Sequence, residues 1–77
     1  MNSKQLAQLG EFAGGLPALS GDKAVELALL YTQLNQRQLA EQAGLQPARI
    51  SEMRKELTLT RGQQNALVTA LVRHWML

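Results

Sequence analysis

Groups that could do covalent or acid–base chemistry are scarce in this sequence. It has no cysteine and a single histidine, His74. Disulfides and thiolate metal sites are thereby excluded, and one imidazole does not hold a metal ion by itself. Ser51 has no base placed beside it to activate it as a nucleophile. Glu41, Glu52 and Glu56 show no acid–base arrangement, and their helical positions suit surface ion pairs. No enzyme and no cofactor are expected. The chemistry on offer is that of binding. Residues 35–61 carry Arg37, Arg49, Arg54, Lys55 and Arg61 against Glu41, Glu52 and Glu56, an excess of two positive charges. Residues 1–34 carry Lys4 and Lys23 against Glu11, Asp22 and Glu26, and Arg73 completes the net charge of +2. Such an excess suits nucleic acid but does not by itself demonstrate it.

The order of residues from Gln36 to Met53 is more specific. Two short helices that cross steeply need a small residue where they touch, and Ala40 supplies it. They need a residue free to turn left-handed between them, and Gly44 supplies that. Leu39 and Leu45 cover the junction from both sides. Ile50 and Met53, three apart, aim the apolar edge of the second helix inward. These requirements fall in register.

The stretch resembles the helix-turn-helix of the phage repressor and Cro family. The likeness covers Gln36 to Met53 closely, and residues 20–75 only loosely as a helical domain. Gln36 fits it too, because that family often opens its first motif helix with glutamine. The resemblance implies a compact helical bundle that binds double-stranded DNA, usually as a dimer. Residue by residue, it implies a phosphate contact from Gln36 and base-edge contacts from Gln46, Pro47, Ala48, Ser51 and Glu52. It implies phosphate or base contacts from Arg49 and Lys55. Arg37, like Arg54 and Arg61, is expected as a solvated charge or phosphate contact rather than a base reader. Two positions depart from the family pattern. Pro47 stands where glutamine is frequent, and Glu52 would face cytosine or repel phosphate. Both bear on which operator is read more than on the fold.

The elements that must hold this stretch follow from capping and periodicity. The expected fold is all-α, a small bundle of four to five helices containing a helix-turn-helix, in one domain over 1–77. A chain of 77 residues buries only about 60–65% of its unfolded surface. Ser3 to Phe12 reads as a short helix with Leu6, Leu9 and Phe12 on one side, and Gly14-Gly15-Leu16-Pro17 as a break. Ser20 caps a helix that runs to about Leu34, with Leu27, Leu30, Tyr31 and Leu34 on its apolar face. Asn35, with Gln38 three residues on, caps the helix Gln36 to Ala43, which Gly44 ends. Pro47 opens a helix to about Lys55 or Glu56. Thr60, with Gln63, caps the last helix.

That last helix is unusually apolar from Ala66 to Leu77. Val68, Leu71, Val72 and Trp75 form one stripe, which Met76 and Leu77 extend. A homodimer through Val68, Leu71, Val72, Trp75 and Met76, anchored on Trp75, is the expectation. The alternative is that residues 1–17 fold back over the stripe. A dimer would set two recognition helices about 34 Å apart on a near-palindromic operator. Met1 to Gln5 lead into no apolar run, and no segment reaches the roughly 18 apolar residues of a membrane span, so a cytoplasmic protein with no membrane partner is expected. The function expected is a sequence-specific transcriptional regulator, a repressor of a phage or other mobile element. The other class left open is a helical protein-interaction module, antitoxin-like or host-factor-binding, that reads no DNA.

Overall fold

Capping side chains place most of the helix starts. In the computed structural model, which describes residues 1–76, the first helix α1 covers Ser3–Gly15 and a 3-10 turn follows at Leu16–Ala18. Then come α2 (Gly21–Thr32), α3 (Gln36–Ala43), α4 (Pro47–Met53) and α5 (Arg61–Met76). Asn2 and Gln5 form a reciprocal capping box at α1. The Ser20 hydroxyl accepts from the Lys23 amide, with Asp22 in the first turn of α2. Asn35 and Gln38 cap α3 reciprocally, and Thr60 and Gln63 do the same for α5. Each such cap contributes about 1 kcal/mol by occupying donors that a helix end leaves open. Pro47 opens α4, which has no side-chain cap.

The fold is all-α, with five α-helices among the described residues. α5 is the central element and packs against α1, α2 and α3, while α4 packs against α2 and α3. Phe12, Leu16, Ala24, Val25, Ala28, Leu39, Ala40, Ile50, Met53, Leu59, Leu67, Ala70 and Leu71 make one core. Thr32 is the buried polar residue. Its hydroxyl donates to the Ala28 carbonyl at 2.7 Å and accepts from the Leu34 amide at 3.3 Å. No helix among the described residues is long and apolar enough to cross a membrane.

Several boundaries differ from those the sequence suggests. α1 does not stop at Phe12 but continues through Gly14 and Gly15. Burying Phe12 and Leu16, one turn apart, stabilises by about 1.5–3 kcal/mol per side chain, which offsets the roughly 1 kcal/mol each glycine costs in a helix. α2 ends at Thr32 rather than Leu34, because Gln33 turns left-handed at φ 58°. Its fully buried face is Ala24, Val25, Ala28 and Thr32; of the expected stripe, Leu27 and Tyr31 pack partly against the core, Leu34 is half-buried and Leu30 is 69% exposed. The cause is a close approach at the start of α2. A side-chain carbon at Gly21 would overlap the Met53 carbonyl, and the Gly21 amide donates to the Glu56 carbonyl at 2.8 Å. Backbones this close leave room only for small side chains between the helices. α4 ends at Met53, short of Lys55 and Glu56, whose amides donate to the Glu52 and Met53 carbonyls three residues back.

The C-terminal stripe is covered from within. Leu67, Ala70 and Leu71 are wholly buried in the chain's own core, and Val68 and Trp75 pack partly against it. Tyr31 lies between Phe12 and Trp75, with ring centroids 6.0 and 6.4 Å away. Leu71 is therefore not on a surface that a second copy could reach, and it drops out of the expected dimer stripe. α1 packs on α5 with Phe12 buried and Leu9 half-buried, while Leu6 stays 58% exposed. Val72 is half-buried and Met76 is 68% exposed. The part of the stripe assigned to Leu77 lies outside the described residues.

Candidate nucleic-acid interface

Gly44 sets the relation between α3 and α4. It adopts φ 73°, ψ 29°, the left-handed region where a side chain is strained. The Leu45 amide donates to the Ala40 carbonyl at 2.9 Å and the Gly44 amide to the Glu41 carbonyl at 3.2 Å, the closing pattern of a Schellman turn. Arg73 reaches across from α5 and donates to the Gln42 carbonyl at 3.2 Å. A cation there satisfies an open carbonyl at the negative end of α3. Leu39 and Ala40 on α3 and Ile50 and Met53 on α4 are buried, and Leu45 packs partly against them.

With Ile50 and Met53 turned inward, the rest of α4 and its flanks face out. Gln46, Pro47, Ala48, Arg49, Ser51, Glu52 and Lys55 are all exposed, as is Arg37 on α3, and Gln36 is half-buried. Arg49 and Glu52 lie 3.5 Å apart with side chains 68% and 63% exposed. A pair that open contributes little and is readily exchanged for another partner. Beside them, a cleft of about 310 Å³ runs between α4 and the start of α5, lined by Arg49, Glu52, Met53, Thr60 and Gln63. Among the described residues no three His, Cys, Asp or Glu side chains gather where they could hold a metal ion.

Arg54 departs from the expectation of a solvated charge or phosphate contact. Its Nε donates to Asp22 Oδ1 at 2.8 Å, its Nη2 to Glu26 Oε1, and its Nη1 to Gln36 Oε1 at 3.1 Å. Gln36 Nε2 in turn donates to the Ser51 hydroxyl at 2.9 Å. The hydrogen bond to Glu26 raises the Arg54 pKa above its ordinary value, against a lowering from burial. The side chain is 24% exposed. Gln36 keeps one amide N–H free for an outside acceptor, since only one of its two serves Ser51.

Two features escape a reading of the sequence alone: the Arg54 ion pairs and the Arg73 contact. A partial signal existed for the first. Asp22 and Glu26 sit one turn apart on α2, and two carboxylates so placed repel unless a cation joins them. Nothing in the sequence marks Arg73. No known protein family, characterised protein or solved structure matches this chain.

Proposed function

We propose that this chain binds double-stranded DNA, with α3 and α4 acting as a helix-turn-helix and α4 lying in the major groove. The observation that carries the reading is the division of α4. Ile50 and Met53 anchor it, and Gln46, Pro47, Ala48, Arg49, Ser51, Glu52 and Lys55, on the helix and its flanks, are all exposed. A groove admits such a helix, and base edges present donors and acceptors to it. Arg49 and Lys55 supply cation contacts, Gln36 its free N–H, and Arg37 a phosphate contact. The chain would regulate transcription by occupying an operator, as a repressor of a phage or other mobile element. A second copy, on a near-palindrome, would have to use what α5 leaves outside, namely Val72, the outer part of Trp75 and Met76.

The test is selection of bound duplexes from a random pool, followed by affinity against salt. A recurring sequence is expected, with log K falling by about 0.9 per neutralised phosphate for each unit of log salt. A pool that stays random, with no salt dependence, refutes the reading. One observation favours the protein-interaction module instead. Leu19, Leu27 and Leu30 line a shallow apolar hollow on α2, rimmed by Lys23 and Glu26. A partner seated there would protect Leu30 and leave α4 indifferent to DNA.

A further inference from the structure

α4 is short and lacks a side-chain cap. A helix of this length has little stability of its own, so its angle must be imposed by its neighbours. We propose that Arg54 imposes it: Arg54 is a positioning residue that ties the end of α4 to α2 and α3 and, through Gln36, fixes the Ser51 hydroxyl on the outward face, and it does not itself touch DNA.

This inference rests on the DNA-binding reading and adds a division of labour to it. The guanidinium engages three groups from two other helices: Asp22 and Glu26 of α2 and Gln36 of α3. The chain of contacts then returns to α4 at Ser51, one turn before Arg54, so α4 is bound at two points by one connected set. Two carboxylates surround one cation, which leaves the cluster with a formal charge of −1. A phosphate approaching Arg54 would meet that negative sum and would have to displace charge-assisted hydrogen bonds already formed. Lys55 and Arg37 are exposed, and Arg49 is exposed with only the open pair to Glu52 to exchange. The planar fork of arginine holds five donors in a fixed geometry, and the compact, rotatable ammonium of lysine does not reproduce it.

The geometry gives a prediction with a distinctive sign. Asp22→Asn with Glu26→Gln removes two negative charges, which by simple electrostatics strengthens binding to any duplex. If the pair instead holds Arg54 and thereby aims α4, the double variant binds a duplex selected from the random pool about tenfold more weakly, the effect of losing one good base contact. The same variant binds a scrambled duplex of equal length as well as the wild type or better. Arg54→Lys, which keeps the charge, gives the same loss of discrimination and carries the test should the double variant fail to fold. In the free protein, the Gln36 side-chain amide signals shift in either variant. Equal strengthening on both duplexes, with Arg54→Lys indistinguishable from wild type, overturns the positioning role alone. A random pool from which the wild type selects no duplex overturns the DNA reading, and the role of Arg54 falls with it.

Discussion

Arg49 and Arg54 stand at opposite ends of α4 and meet opposite surroundings. Arg49 is 68% exposed and faces only Glu52, 3.5 Å away on its own helix. Arg54 is 24% exposed and spends its donors on Asp22, Glu26 and Gln36. One end of the helix is left open, and the other is locked to the scaffold by side chains and by the Gly21 amide on the Glu56 carbonyl. The lesson is that a local excess of positive charge does not say which cations are available. Of the five in residues 35–61, Arg54 is already neutralised within the fold, and exposed Arg37, Arg49, Lys55 and Arg61 carry whatever attraction for phosphate the segment has.

The comparison assumes that the scaffold is complete in one chain, and Leu71→Ala tests that first. Leu71 is wholly buried, so the substitution is expected to cost about 2–5 kcal/mol in chemical denaturation. The loss should be the same at micromolar and at hundredfold higher protein concentration. A loss that grows with concentration would place Leu71 between two copies and restore the dimer stripe.

Gly21→Ala strikes the locked end directly. A methyl group there overlaps the Met53 carbonyl, so α2 and α4 must separate, at a cost of about 1–3 kcal/mol. Weakened discrimination between duplexes should accompany the lost stability, because the angle of α4 changes with the contact. Unchanged stability would mean that α2 and α4 do not approach as closely as described.

The smallest effect is expected outside both ends. Gln33 is left-handed at φ 58° at the C-terminal end of α2 and is not among the residues assigned to DNA. Asparagine tolerates that conformation better, so Gln33→Asn is expected to raise stability by about 0.5 kcal/mol, with DNA affinity unchanged. A thermal midpoint that falls instead would assign the Gln33 side chain a role of its own.

What the sequence made legible was local. Asn35 with Gln38, Thr60 with Gln63, Pro47 and Gly44 act within one turn of their own position, and their types determine their effect. The inward positions Ala40, Ile50 and Met53 follow from spacing alone. The misread parts depend on partners distant in the chain. Small residues face the core of α2 because the backbone of α4 lies against Gly21, which no periodicity within α2 reveals. Arg54 meets carboxylates of another helix, and Arg73 meets a carbonyl of α3. The breadth of the α5 stripe was visible, but whether α1 or a second copy covers it depends on tertiary packing. The outward surface of α4 was thus legible from its two anchors, and the locking of its far end was not.

The most direct measurement compares the two arginines on one duplex. Affinity of wild type, Arg49→Gln and Arg54→Gln for the selected duplex is followed against salt concentration. The account predicts that Arg49→Gln flattens the dependence by about 0.9 in log K per unit of log salt, whereas Arg54→Gln weakens binding with its slope unchanged. A slope that flattens for Arg54→Gln and stays unchanged for Arg49→Gln would contradict it.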